Sequence, residues 1–147
     1  NGPYQGIPGG GRFKDEASNM MCQQPPWGEL TAVNVNTGEF AWRVPLGDLR
    51  EKGLPGAGAP TGSPNLGGPA TTETGLLFIG ATLDPAIRAF DLETGKELWR
   101  GALPTSARAT PMMFTGPDDK EYVVIAAGGH APQFGRFDNA IVAFTLP

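Results

Sequence analysis

The sequence predicts an all-β chain, on three observations. Glycine and proline account for 22 and 15 of the 147 residues, roughly twice their usual share, which requires frequent turns and leaves little room for long helices. Apolar residues come in short runs bounded by these turn residues, as they do in strands. A segment of the chain also recurs at a spacing of 57 residues, which indicates a repeated structural unit.

The repeat joins residues 30–46 (LTAVNVNTGEFAWRVPL) to residues 87–103 (IRAFDLETGKELWRGAL), and six of these 17 positions are identical. Chance would give about one identity at average residue frequencies. The identical pairs are Ala32 and Ala89, Thr37 and Thr94, Gly38 and Gly95, Trp42 and Trp99, Arg43 and Arg100, and Leu46 and Leu103.

Each copy predicts a strand, a polar turn and a second strand that carries tryptophan. The turn glycine suits a position of positive φ, where a side chain would be strained. An Asn or Asp that precedes the turn can accept hydrogen bonds from its backbone amides. The tryptophan can pack between neighbouring sheets while its indole N–H reaches a carbonyl. These positions are Gly38 and Gly95 for the glycine, Asn34 and Asp91 for the acceptor, and Trp42 and Trp99 for the anchor.

Two further strands are predicted in residues 69–80, with a turn at 73–75, and two more in residues 109–128, with a turn at 116–119. One unit is therefore four strands in about 57 residues, which fits a blade of a β-propeller. Its repetition predicts a partial propeller of about two and a half such blades.

A third copy of the repeat begins at residues 140–144, and the chain stops before its turn and tryptophan strand. Propellers commonly close their ring with a strand from the other end of the same chain, so we expect the tail of a longer protein. The predicted division is a connecting region in residues 1–29, tryptophan-motif blades in 30–103 and a final incomplete blade in 104–147. Open strand edges would favour self-association of such a fragment.

Charge and cysteine content exclude several classes of function. The formal net charge of −4 gives no electrostatic footprint for nucleic acid. A single cysteine, Cys22, excludes an intrachain disulfide and is best interpreted as a small apolar loop side chain. With one histidine in addition, the sequence predicts no zinc cluster and no metal ligand in this chain.

The stretch AFDLETGKELW, from Ala89 to Trp99, resembles the tryptophan-docking motif of quinoprotein dehydrogenases that use pyrroloquinoline quinone (PQQ). Residues 22–30, 65–69, 77–84 and 126–130 resemble the C-terminal part of the membrane-bound glucose, quinate and polyol branch of that family. The resemblance covers nearly the whole chain.

This resemblance implies an eight-bladed parent at the periplasmic face of a bacterial inner membrane. Such a parent binds PQQ and calcium on its axis, oxidises a sugar, cyclic polyol or alcohol, and passes electrons to ubiquinone. The family's catalytic aspartate and main calcium ligands would lie in upstream blades, so the fragment alone should be inactive. The alternative is a non-enzymatic tryptophan-motif propeller that recruits protein partners.

Two residues are predicted to contact substrate. Asp84 lies in a loop between two strands, where an aspartate before proline is often only a turn former. His130 follows a Gly-Gly pair at the end of an apolar strand, where a solvated loop residue is the default interpretation. The resemblance favours a substrate contact for both.

Four residues are predicted to contact PQQ. Asn65 and Leu66 precede a glycine pair that allows close approach of the backbone to a planar ligand, although the alcohol-oxidising relatives have a tryptophan in place of Leu66. Arg108, in the equivalent loop of the next blade, could pair with a PQQ carboxylate or face solvent. Gly129 lies in the loop before His130. Trp27 is interpreted as a packing residue rather than a pocket residue.

Overall fold

The computed structural model describes residues 23–49, 61–129 and 137–145, which hold nine β-strands and no helix. The all-β prediction is therefore confirmed. The strands are β1 (Glu29–Val33), β2 (Phe40–Pro45), β3 (Ala70–Thr71), β4 (Leu76–Ile79), β5 (Ala86–Asp91), β6 (Glu97–Ala102), β7 (Met112–Thr115), β8 (Glu121–Ala127) and β9 (Ala140–Thr145).

The strands form three antiparallel sheets in which chain neighbours pair with each other. The first sheet holds β1 and β2, the middle sheet runs from β3 to β6, and the third sheet runs from β7 to β9. The middle sheet is the complete four-stranded unit that the sequence predicts. The inner strand pairs, β3 with β4 and β7 with β8, also form as predicted. The architecture is that of a partial β-propeller.

The turn between β5 and β6 has the geometry that the repeat predicts. Gly95 has a φ of 72°, and the Asp91 carboxylate accepts hydrogen bonds from the Thr94 backbone N–H and hydroxyl, both at 2.7 Å. These bonds lower the pKa of Asp91 below its ordinary value, the side-chain bond from Thr94 contributing most. The first copy repeats the arrangement, with Gly38 at a φ of 75° and Asn34 Oδ1 accepting a backbone N–H at 2.9 Å.

Apolar side chains fill the two spaces between the three sheets. The buried residues between the first and middle sheets are Leu46, Leu77, Ile79, Ala81 and Phe90, with Leu30, Trp42 and Val44 packed against them. Those between the middle and third sheets are Ile87, Leu103, Ala107, Ile125 and Ala127. The middle sheet is thus covered on both faces, and burial of this apolar area holds the stack together.

Trp42 joins the first sheet to the turn of the middle sheet. Its indole N–H donates to the Leu92 carbonyl at 3.0 Å, and the ring lies so close to Gly95 that a Cβ there would be 2.6 Å from the indole. The predicted anchor between sheets is confirmed at this position. Trp99 packs edge-on against Phe144 of the third sheet, with ring centroids 5.0 Å apart.

Candidate functional site

The antiparallel order of the strands sorts their connections to two ends of the sheets. The short turns within each repeat lie at one end, which we call the turn end. The connections β2 to β3, β4 to β5, β6 to β7 and β8 to β9 lie at the other, which we call the loop end. Its described parts are residues 46–49, 61–69, 80–85, 103–111, 128–129 and 137–139. The predicted site residues that the structure describes all lie at the loop end.

The segment before β1 is fastened to the β2–β3 connection. The Trp27 backbone N–H donates to the Thr61 carbonyl at 2.8 Å, and the buried Trp27 ring donates from Nε1 to the Gln23 carbonyl at 2.9 Å. Gly28 lies so close to the backbone of this connection that an added Cβ would be 1.8 Å from the Ser63 carbonyl oxygen. A glycine is required at this crossing because any side chain would displace the backbone.

The β4–β5 loop is fastened in turn to the same connection. The fully buried Ser63 accepts a hydrogen bond at Oγ from the Leu83 N–H at 3.1 Å. The Leu66 N–H donates to the Ala81 carbonyl at 2.9 Å, and Ala81 itself has a positive φ of 63°. These bonds hold the loop that carries Asp84 against the preceding blade.

Asp84 is a buried carboxylate, with 5% of its surface exposed. Its Oδ2 accepts a hydrogen bond from Arg88 NH2 within an ion pair, and its backbone carbonyl accepts the Ala86 N–H at 2.9 Å. Oδ1 is also buried, and no hydrogen-bond donor approaches it in the part of the chain that the structure describes. Asp84 therefore acts as a turn former through its backbone, and one of its carboxylate oxygens has no hydrogen-bond partner among the residues that the structure describes.

Arg88, on β5, is the partner that sequence reasoning missed. Its side chain is 1% exposed and also donates from NH1 to Thr82 Oγ1 at 3.3 Å. Its Nε lies 3.5 Å from Glu97 Oε2, and Glu97 binds the exposed Arg100 at 2.9 Å as well. The Glu97 hydrogen bond raises the pKa of Arg100 above its ordinary value. A charged residue inside an otherwise apolar strand was the signal that could have identified this pair.

The candidate cofactor contacts Leu66 and Arg108 come from loops that touch each other. Gly67 has a φ of 124°, and a Cβ there would lie 2.5 Å from the Arg108 carbonyl oxygen. The close approach at this glycine is therefore to protein backbone. Leu66 is 57% exposed, while Asn65 is half-buried and donates from Nδ2 to the Ser63 carbonyl at 3.3 Å.

Gly129 is linked to the same group through the β6–β7 loop. It has a φ of 75°, and its N–H donates to the Ser106 carbonyl at 2.9 Å. The Ser106 side chain is 2% exposed, and its Oγ has no hydrogen-bond partner within the described residues. Backbone contacts thus connect the loops of all four candidate cofactor residues, and the buried Ser106 hydroxyl lies among these loops.

His130 and Cys22 lie outside the described residues, so their predicted roles stay predictions. Among the described residues, no three His, Cys, Asp or Glu side chains come close enough together to hold a metal ion. No helix of the described part is long and apolar enough to cross a membrane.

Residues 8–123 match the family described as PQQ: glucose/ethanol/alcohol dehydrogenase, beta-propeller domain. The chain is 41% identical over 137 residues to quinate/shikimate dehydrogenase (quinone) from Acinetobacter baylyi, covering 88% of this chain and 17% of that protein. It is 40% identical over 156 aligned positions to the glycerol dehydrogenase large subunit of Gluconobacter thailandicus, covering 100% of this chain and 21% of the subunit.

A solved structure, a europium-containing methanol dehydrogenase, superimposes with a TM-score of 0.55 at 29% identity, covering 69% of this chain and 15% of that one. The stacked sheets, the tryptophan that docks on the next turn and the linked loops define a segment of a tryptophan-motif propeller. The chain belongs to the PQQ glucose/ethanol/alcohol dehydrogenase family. It spans about a fifth of the length of the curated relatives it matches.

Proposed function

We propose that the chain is the C-terminal portion of a PQQ-dependent dehydrogenase that oxidises a sugar, cyclic polyol or alcohol. The observation that carries the proposal is the loop end, where a buried carboxylate and a buried hydroxyl each keep an oxygen that no described residue hydrogen-bonds. Buried polar atoms of this kind are rare in folded proteins and are a normal feature of ligand sites. The relatives support the substrate class, since their names include quinate, shikimate and glycerol dehydrogenases.

PQQ is a planar quinone with three carboxylates, and the loop end offers donors suited to it. Asn65 would contribute an amide and Arg108 a guanidinium, which can bind a carboxylate with two parallel hydrogen bonds. The exposed Leu66 would offer an apolar edge to the ring, and Gly129 would allow close approach of backbone. When bound, PQQ supplies the two-electron acceptor for oxidation of a hydroxyl group.

The substrate contacts we propose are Asp84 and His130. A carboxylate oxygen accepts hydrogen bonds readily, and Asp84 Oδ1 is a buried oxygen to which no described residue donates, so we propose it as the acceptor for a substrate hydroxyl. His130 would follow Gly129 along the chain and add a second polar contact. Both residues would orient the substrate, while the proton-abstracting base would lie in an upstream blade.

The wider setting of the parent protein is part of the same proposal. We place it at the periplasmic face of a bacterial inner membrane, with ubiquinone as electron acceptor and with calcium held by upstream residues. Residues 1–29 would connect blades, 30–103 would form tryptophan-motif blades and 104–147 the last incomplete one. The isolated fragment would be inactive and would associate with itself through open strand edges.

The test is dye-linked oxidation of glucose, quinate and glycerol by the full-length protein with PQQ and Ca²⁺. We expect activity with at least one of them, and Asp84→Asn should raise the KM for that substrate about tenfold, because a hydrogen bond to a charged group is lost. The matched control is Asp118→Asn, which removes an exposed carboxylate at the turn end that hydrogen-bonds only Tyr122 among the described residues.

The control should leave KM unchanged. A well-folded protein with no activity and no PQQ absorbance change would contradict the dehydrogenase proposal and favour the scaffold alternative. Equal KM values for the wild type and Asp84→Asn would remove Asp84 from the substrate site while leaving the dehydrogenase assignment intact.

A further inference from the structure

Arg88 is a cation buried within the sheet stack, and the three polar contacts that it makes in the described part of the chain all come from the middle blade. They are the Asp84 carboxylate in the loop before β5, the Thr82 hydroxyl in the same loop and the Glu97 carboxylate on β6. Of these partners only Glu97 is substantially exposed, with 35% of its side chain accessible. Arg88 therefore contacts the loop end from the interior of the sheet stack, and not from the solvent-exposed side.

The strand architecture does not require an arginine at this position. In the first sheet, Thr31 pairs with Arg43 as Arg88 pairs with Arg100. In the third sheet, Val142 pairs with Ile125 as Arg88 pairs with Ile79. The two equivalent strands thus carry a threonine and a valine, and they form without a buried charge.

The stability of the fold does not explain well why an arginine is buried here. Moving a guanidinium and a carboxylate out of water costs free energy that their attraction only partly repays, and apolar replacements of such pairs are often neutral or stabilising. What the pair does supply is orientation. Arg88 binds Oδ2 of Asp84, so the carboxylate cannot rotate freely, and Oδ1 has no hydrogen-bond donor within the described ranges of the chain.

We infer that Arg88 is a positioning residue that acts through Asp84, fixing this carboxylate so that Oδ1 can accept a hydrogen bond from a substrate hydroxyl. The inference rests on the proposed function. Arg88 itself touches neither substrate nor cofactor, because its guanidinium is occupied by Asp84, Thr82 and Glu97. Thr82 contributes by holding the second terminal nitrogen, so that the fork faces the carboxylate in one orientation.

The test compares Arg88→Met, Asp84→Asn and the double variant in the full-length enzyme with its best substrate. Each single variant should raise KM about tenfold with a much smaller change in kcat. The double variant should have the KM of Asp84→Asn alone, because both changes remove the same oriented oxygen. The matched control is Arg100→Met, which loses the same Glu97 partner from the facing position on β6 and should leave KM unchanged.

A binding measurement separates positioning from general damage. Calorimetry on the PQQ-free protein should rank the substrate Kd values of the variants in the same order as their KM values. Titration with PQQ should give each variant the same PQQ affinity as the wild type. If Arg88→Met fails to fold, Arg88→Lys replaces it, since lysine keeps the charge and loses the fork. We expect that variant to raise KM severalfold, and to add nothing to Asp84→Asn.

The outcomes separate the two claims. Suppose that Asp84→Asn alone raises KM as expected, and that the KM changes of the two single variants multiply in the double variant. The proposed role of Arg88 is then wrong, while the proposed function stands. Unchanged KM in both Arg88 variants leads to the same conclusion. A folded, PQQ-loaded wild type without activity on any hydroxyl substrate overturns the proposed function, and this inference falls with it.

Discussion

The two ends of the middle sheet differ in how they relate to the repeat. At the turn end, Asp91, Gly95 and the docked Trp42 have counterparts in the other copy of the repeat, and their contacts follow from the motif. At the loop end, Asp138 stands in the third copy at the position of Asp84, but neither neighbouring sheet has an arginine at the position of Arg88, where they carry Thr31 and Val142. The turn end is thus built from repeated positions, and the loop end departs from the repeat.

In a repeat protein, residues that depart from the repeat are the stronger candidates for a functional site. Positions that recur at the blade period are explained by packing between blades, because each blade needs the same contacts with its neighbour. A buried charge pair that occurs in one blade alone is not explained by that need. The free-energy cost of burying this charge pair is better explained by a role in a functional site than by a role in packing the sheets.

Among substitutions that separate the two ends of the sheet, Trp42→Ala should have the greatest consequence. Losing the ring removes its packing on Gly95 and its hydrogen bond to Leu92, and should lower the free energy of unfolding by about 3 kcal/mol. Urea denaturation of the full-length protein measures this. The substrate KM should be unchanged, since Trp42 docks at the turn end, and a raised KM with unchanged stability would break the separation of the two ends.

The second largest change is expected from replacing glycines by alanine at the loop end and at the turn end. A Cβ at Gly28 would overlap the Ser63 carbonyl, so Gly28→Ala should cost about 2 kcal/mol and also raise KM by shifting the loop that Ser63 anchors. The control is Gly75→Ala at the turn end, where no described atom would lie within 4 Å of the added Cβ and only the φ of 87° is unfavourable. It should cost about 1 kcal/mol and leave KM alone. Equal KM values for both variants would contradict a rigid loop end.

Sequence reasoning predicted the turn end almost completely because its contacts are local or recur at a fixed spacing. The Asp91 acceptor, the Gly95 conformation and the Trp42 hydrogen bond to a carbonyl were all predicted and all form. It predicted the loop end only in part. The Ser63 anchor of Leu83 spans 20 residues and depends on how two blades stack, and the Arg88 pair depends on which way a strand faces.

The predicted site residues show the same limit. Asp84 was singled out by the resemblance, while its orientation by Arg88 is a contact between a loop and a strand that no motif encodes. The sequence predicts that the glycines at 67 and 68 leave room for a ligand, whereas the structure gives Gly67 a protein neighbour, the Arg108 carbonyl. The functional roles of Asn65, Leu66, Arg108, Gly129 and His130 stay predictions.

The smallest effect concerns the pH dependence of the turn end. The Thr94 hydrogen bonds hold the pKa of Asp91 below its ordinary value of 3.8, so the folded state favours the carboxylate. This stability is present in full above the pKa of the unfolded chain and is lost as pH falls through the lower folded value. Asp91→Asn should therefore flatten the acid limb of the stability profile below about pH 4, because the variant lacks the carboxylate contribution at neutral pH and approaches the wild type only in acid. Asp118→Asn is the matched exposed control, and an identical acid limb in wild type and Asp91→Asn would show that the turn carboxylate adds nothing to the stability of its blade.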